Sequence, residues 1–414
     1  MKIQIDKNKK KYVTRIFILC WLVYFTSYIG RLNFPSVMAK IMEEGIITES
    51  QAGLINMIYF LAYGFGQISN GIIGDKSKPR IQIFVGLICS GISNLMMCWQ
   101  QPVAMLIFWG ANGYFQSMIW PPIMRIFAEK FTGDQKVKAS INIVSSMVLG
   151  SLASYLMSAL ALYIDLWKSA FCFAAGSLIL VAWIWFFQYK NTEKRFEFAA
   201  PPKVLEIRSK QSKSADKRSR SNRTVLTCFL ILLLPTVIHG ILKDGVPSWI
   251  PTFFHERFGV STAYAAVVTM VLPIINLSGA YMAGFVNKKF KNYEVKSSSL
   301  FFIIAAFALF MIRVTGQYSI ILTGFLFALV TASMMAVDTL LVNIVPLHFE
   351  QVGKVSTVSG ILNAFSHFGS AFASLLIGIM VENSGWNMAI NSWIIETLIA
   401  GIFCILIRNK NIYK

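Results

Sequence analysis

Twelve apolar runs, each at least 17 residues long and separated by short polar connections, leave this chain few folds to choose from. They lie at approximately 14 to 39, 50 to 73, 81 to 99, 102 to 127, 139 to 163, 168 to 188, 224 to 254, 262 to 286, 297 to 313, 317 to 346, 354 to 381 and 387 to 407. In hydrocarbon every backbone N–H and C=O must be bonded within the segment or its sheet, so runs of this length cross as α-helices. A chain of 414 residues with 56% hydrophobic residues, 14% charged residues and a mean hydropathy of +0.60 is no soluble globular protein. The expected fold class is therefore an all-α membrane protein of twelve transmembrane helices. The first run follows Lys7, Lys9, Lys10, Lys11 and Arg15 and starts like a signal peptide; no small-residue cleavage site follows, so it counts as helix one. Six cysteines fall inside apolar runs without CxxC spacing, which supports neither disulfides nor a metal site.

A net charge of +19 invites a nucleic-acid reading until the basic positions are mapped. With the amino terminus inside, 32 of the 38 Lys and Arg residues fall on the inner segments. The charge is then topology, with both termini in the cytoplasm, some attraction to anionic membrane lipid and no nucleic-acid partner. Eleven basic and four acidic residues crowd the one long hydrophilic stretch, Lys190 to Arg223. Six runs precede it and six follow. The organisation expected is an N-terminal six-helix bundle at 1–189, a basic cytoplasmic linker at 190–223 and a C-terminal six-helix bundle at 224–414. The halves echo each other: DQKVKAS at 134–140 matches EQVGKVS at 350–356. Parallel repeats of this kind are the architecture of a carrier that alternates access to a site near the midplane between its halves.

Arg31 sits inside the first apolar run, where a charge costs about 2.5 to 3.5 kcal/mol on the gentler insertion scale. Such residues usually face a cavity or a partner. Tyr24, Ser27, Tyr28 and Arg31 follow helical spacing and put hydroxyls and a guanidinium on one face. Arg31, Pro35 and Ser36 recur 212 residues later as Lys243, Pro247 and Ser248, so each half contributes one cation. The pair is a candidate site for a small anion; snorkelling of both stems to the interface is the alternative.

The loop after the second run, Gly71-Ile-Ile-Gly74-Asp75-Lys76-Ser77-Lys78-Pro79-Arg80, resembles the G-x-x-x-D-[RK]-x-x-x-[RK] signature of the major facilitator superfamily. Gly71 and Gly74 allow close packing, and Asp75, Lys76 and Arg80 are candidate gating residues with Arg125 as the expected counter-ion of Asp75. The equivalent loop of the second half, Ala283 to Lys289, carries Asn287 in place of the acid. The resemblance sharpens at Tyr114-Phe-Gln-Ser-Met-Ile-Trp120-Pro121-Pro122 and at Leu242-Lys243-Asp-Gly-Val-Pro-Ser-Trp249-Ile-Pro251-Thr252. These segments look like the organophosphate:phosphate antiporter family, whose carriers hold phosphate between two arginines. Arg31 matches the first, and Lys243 stands where the second would be. A lysine keeps the charge but loses the planar fork that grips phosphate with two bonds. Gln67 replaces a lysine and Met147 a histidine of that family's glycerol-3-phosphate carrier, and Asp244 beside Lys243 is expected to neutralise it further.

Tyr59, Tyr63 and Gln67 share a helical face, and His239 lies one turn before Lys243, so Tyr28, Tyr63, Gln67 and His239 join Arg31 and Lys243 as candidate substrate contacts. The family resemblance adds His367, which stands where it has a tyrosine. Asp244 and Asp338 are candidates for carrying a proton. No Walker loop, HExxH, GxSxG or dinucleotide fingerprint occurs, so neither an enzyme nor a cofactor is expected and a gradient supplies the energy. A monomeric bacterial inner-membrane carrier is expected, and the resemblance implies that it exchanges an organophosphate for inorganic phosphate. Proton-coupled carriage of a small carboxylate, or a transporter-like sensor of such an anion, are the alternatives.

Overall fold

The computed structural model describes residues 2–196, 230–260, 262–316, 318–350 and 353–407. The linker from 197 onward and the basic tail lie outside the described residues. The described residues of each expected span are mostly helical, and no strand occurs among the described residues. Seven helices there are long and apolar enough to cross a membrane by length and composition. Others differ in length or composition: the fourth expected span is divided into two shorter helices, and the second holds Gln51, Asn56, Gln67, Ser69 and Asn70.

The chain forms two compact units, Met1–Leu226 with Pro346–Ile361, and Thr227–Val345 with Leu362–Lys414. The first contains α1 (Lys2–Glu43), α2 (Glu49–Lys76), α3 (Pro79–Met96), α4 (Pro102–Gln116), α5 (Trp120–Lys130), α6 (Asp134–Asn142), α7 (Val144–Tyr163) and α8 (Lys168–Arg195). Starts and stops follow local chemistry. Thr48 and Gln51 form a reciprocal capping box at α2, and prolines open α3, α4 and α5. The fourth expected span is broken into α4 and α5 where Pro121 and Pro122 cannot donate to the preceding turn. α1 packs on α7 and α8, α2 on α4, and α3 on α4 and α8. Contact is close enough that a side chain at Gly150 would lie 2.3 Å from the Phe25 carbonyl oxygen. A buried amide network crosses this unit: Asn33 donates to Asn94, Ser90 donates to Asn112, and Asn112 donates to the Gly30 carbonyl. Bonded this way, the polar groups fix helix register in an apolar interior.

The segment Pro346–Ile361 follows ten of the twelve spans in sequence yet packs with the first unit. Leu347 and Val355 enter a core that includes Ile16, Ile123, Phe127 and Trp185. Lys136 pairs with Glu350, the two residues coming from the two echoed segments.

The second unit contains α9 (230–240), α10 (Val246–Phe258), α11 (Thr262–Lys289), α12 (Glu294–Thr315), α13 (Ile320–Asp338) and, from Leu362 on, most of α14 (Val355–Leu406). Ile241–Gly245, between α9 and α10, and Thr339–Ile344, after α13, are π-helical. α14 is two helices joined at Gly385, whose φ of 72° favours glycine. α13 packs on α11 and α12. α9 lies on α14 so tightly that a side chain at Gly240 would stand 1.8 Å from the Ser366 carbonyl oxygen.

One feature repeats between the units. Trp167 donates its indole N–H to Glu44 at 2.8 Å, and Trp386 donates to Glu256 at 2.8 Å. At the other loop the carboxylate changes place. Asp75 and Gln82 in the first unit correspond, at the same 212-residue spacing, to Asn287 and Glu294 in the second. Glu294 is buried at the start of α12, where Asn287 donates to it at 3.4 Å and accepts from Ser297 at 3.1 Å.

Candidate functional site

In the first unit the site is built on the C-terminal third of α1 and the facing stretch of α2. Arg31 is 8% exposed. Its guanidinium carbon lies 4.6 Å from the ring centre of Tyr63, 5.3 Å from Tyr28 and 5.9 Å from Tyr59. Tyr59 and Tyr63 stand one turn apart on α2, which is how helical spacing delivers two rings to one cation. Aromatic faces attract a cation through their quadrupole without changing its net charge. Of the hydroxyl face expected on α1, only Tyr28 serves Arg31 among these contacts. Ser27 donates instead to the Tyr24 carbonyl of its own helix at 2.7 Å, and Tyr24 packs on Trp120 at 4.7 Å. Gln67 is fully buried with neither amide atom hydrogen-bonded.

The second unit surrounds its cation with carboxylate and imidazole. Lys243 Nζ lies 2.9 Å from Asp338 Oδ1, and His239 Nε2 is 3.4 Å from the same oxygen. Ser366 Oγ faces the other imidazole nitrogen at 3.2 Å. Asp338 is thus a close partner of Lys243, and Asp244, the acid expected to neutralise that lysine, has its Oδ2 3.8 Å from His367 Nδ1. His239 and Lys243 do share a face, as their spacing predicts. Asp338 was visible as an intramembrane acid, but its partner, 95 residues away, carries no local signal.

The loop between α2 and α3 has a different bonding pattern from the one expected. Asp75 accepts from the Ser356 N–H at 3.0 Å, from the Thr357 N–H at 3.1 Å and from the Thr357 hydroxyl. It thus caps the start of α14, where unpaired N–H groups favour an anion. Burial pushes the Asp75 carboxyl above its usual range, and the Thr357 and Ser356 hydrogen bonds and the Lys354 charge oppose that rise. Arg125 is not its direct counter-ion. The guanidinium donates to Glu129 at 2.9 Å and to the Gly74 and Ser77 carbonyls, closing the exposed end of α2. Asp75, Arg125 and Glu129 nevertheless line one small cleft with Gly353 and Val355. Arg80 donates to the Phe186 carbonyl at 2.8 Å and lies over the Phe186 ring, while Lys76 is exposed. Gly71 and Gly74 do permit close packing: side chains there would crowd the Ser356 carbonyl and hydroxyl.

Residues that spacing did not single out include Ser366, Thr357 and the buried amides Asn33, Asn94 and Asn112. Their signal was an amide or hydroxyl inside an apolar run, which is common in membrane helices and seldom diagnostic. The five described cysteines are free, and no cluster able to hold a metal occurs among the described residues.

Helices of membrane-crossing length that bury an arginine, a lysine and intramembrane carboxylates have the arrangement of a polytopic solute carrier. A model of the Major Facilitator Superfamily matches residues 20–359, and the chain belongs to that superfamily. It is a transporter by family and not an enzyme. The chain is 24% identical to the glycerol-3-phosphate transporter of Bacillus subtilis strain 168, over 98% of this chain and 94% of that protein. It is 21% identical to the membrane sensor protein UhpC of Escherichia coli K12, again over 98% and 94%. These similarities support its place with the organophosphate:phosphate antiporters. Among solved structures, the proton:xylose symporter XylE superimposes with a TM-score of 0.72 at 14% identity, covering 96% of this chain and 94% of that one, a likeness of fold.

Proposed function

We propose that this chain is a secondary carrier that moves a small organophosphate, of the glycerol-phosphate or sugar-phosphate type, in exchange for inorganic phosphate by alternating access. The observation that carries the reading is Arg31, a guanidinium buried on α1 among the rings of Tyr28, Tyr59 and Tyr63. A guanidinium offers paired donors that match two phosphate oxygens. Tyrosine faces hold it in place while its positive charge is kept. The similarity to a glycerol-3-phosphate transporter over nearly the whole chain supports the same substrate class.

Arg31 is the primary anion anchor in this reading and Lys243 the second cation, with Tyr28, Tyr63, Gln67, His239 and His367 as further contacts. Asp75, Lys76, Arg80 and Arg125 act in gating, Asp75 by capping α14 and Arg125 by holding the end of α2. Asp244 and Asp338 are the proton-coupling candidates. In this reading the carrier is a monomer of a bacterial inner membrane, and the distribution of its basic residues supports both termini in the cytoplasm.

Liposomes bearing the purified protein and loaded with phosphate test this directly. Labelled glycerol 3-phosphate or hexose 6-phosphate should enter faster when phosphate is inside. Uptake indifferent to internal phosphate would overturn exchange. The similarity to UhpC supports a second reading, in which the same anion is sensed; binding without transport in the same liposomes would favour it.

A further inference from the structure

Helices α3 and α8 pack in an antiparallel register that can be followed turn by turn. Phe84 meets Phe186 with ring centres 4.7 Å apart. Seven residues on, a side chain at Gly91 would lie 2.8 Å from Ile179 Cγ1, and Ile179 stands seven residues before Phe186. Since that step is about two helical turns, the next facing positions are 98 and 172. Both are cysteines. Their distance along the chain hides the pair from reasoning on CxxC spacing. The structure keeps the register: the short 3₁₀ turn Met97–Trp99 packs on α8, and Cys98 Sγ lies 3.8 Å from the carbonyl of Lys168, one turn before Cys172. The two thiols are hydrogen-bonding neighbours. Cys98 is half-buried, Cys172 is exposed, and both are free. Exposed Gln100 and Gln101 and half-buried Lys168 flank them where the two helices end.

A thiolate reacts with a disulfide through a mixed disulfide, and a second thiol alongside then completes the exchange. We propose that Cys98 and Cys172 are an oxidisable dithiol at the outer end of the first unit, converted by a small-molecule disulfide in the medium to an intramolecular disulfide that joins the end of α3 to the start of α8. Cys172, the exposed partner, attacks one sulfur of the reagent, forms a mixed disulfide and expels one thiolate. The Cys98 sulfur then attacks that of Cys172 and expels the second. Two protein thiols are oxidised and give up their protons, while the reagent is reduced to two thiols that take those protons up. Both cysteines belong to the first unit, so the link joins no part of one unit to the other. By closing a long loop it restricts the unfolded chain and stabilises the bundle that carries Arg31. The outer placement rests on the reading that both termini are cytoplasmic; the pairing does not.

The test treats the full chain in liposomes with membrane-permeant dithiodipyridine, blocks the remaining thiols with N-ethylmaleimide and maps unreduced peptides by mass spectrometry. Two of the six thiols should be lost from each chain, with Cys98 linked to Cys172 inside a monomer. The oxidised protein should also unfold at a higher temperature, and dithiothreitol should reverse the rise. Cys98→Ser should stop at a mixed disulfide on Cys172; if that variant does not reach the membrane, the wild-type peptide map decides alone. Reagent adducts that persist on both cysteines, a link to any other cysteine or to a second copy, or an unchanged unfolding temperature would overturn the proposal. Intact cells stripped of their wall and given impermeant oxidised glutathione report the side, and the same link should form there. A link made only by the permeant reagent would overturn the outer placement and the cytoplasmic termini beneath it, whereas no link with either reagent would overturn the pairing itself.

Discussion

Arg31 and Lys243 occupy equivalent places in two repeated halves, yet the protein surrounds them with opposite chemistry. One cation lies among three tyrosine rings. The other is held by a carboxylate with an imidazole behind it. Aromatic faces attract a cation without cancelling its charge, whereas a carboxylate at 2.9 Å offsets the charge of Lys243 where it is bound. The repeat therefore preserves where a charge is placed but not what it does. The same lesson holds at the loops after α2 and α11, where Asp75 and Gln82 become Asn287 and Glu294. One carboxylate remains in each loop but moves from the end of one helix to the start of the next. The Trp–Glu hydrogen bonds, by contrast, are alike in both halves at 2.8 Å.

The contrast between the two cations breaks most sharply at Arg31. Arg31→Ala should abolish uptake of labelled glycerol 3-phosphate while the protein still reaches the membrane, and Arg31→Lys should recover little because the donor fork is lost. Unimpaired uptake in Arg31→Ala would remove the distinction altogether. Lys243→Ala should act first on stability, by about 3 to 5 kcal/mol, because it strands a buried carboxylate. Adding Asp338→Ala should recover most of that loss in thermal unfolding; a double variant no more stable than the single one would show that the pair is not mutually supporting. Asp75→Asn keeps an acceptor but removes the charge that three donors address, each such bond being worth about 1.5 to 3 kcal/mol. Turnover should slow several-fold with little change in half-saturating substrate, and the reverse pattern would count against gating. Smallest of all, Trp167→Phe and Trp386→Phe should each cost about 1 kcal/mol in unfolding experiments, equally in both halves. An unequal cost would mean that even this shared feature has diverged.

Much of this was legible in the chain. Apolar length gave the helices, because a membrane allows almost nothing else. Arg31 declared itself by its charge, and Tyr59 with Tyr63 by helical spacing. The partners of Lys243 and Arg125 did not. Adjacency pointed Lys243 to Asp244, whereas Asp338, which bonds it, lies 95 residues further along the chain. Motif logic pointed Asp75 to Arg125, but Asp75 found backbone N–H groups at Ser356 and Thr357, and Arg125 found carbonyls at Gly74 and Ser77. Backbone groups at helix ends are identical in every sequence, so no residue pattern announces them.

The wide turn at Ile241–Gly245 has one more consequence. Hydrogen bonding to the fifth residue instead of the fourth stores one surplus residue in the helix, and each residue of an α-helix amounts to about 100° of rotation. If that surplus slides along the helix or is drawn into an ordinary turn, everything to one side swivels while the helix stays intact. The second cation thus rides on a pivot within a continuous rod, free to be re-aimed without unwinding its support.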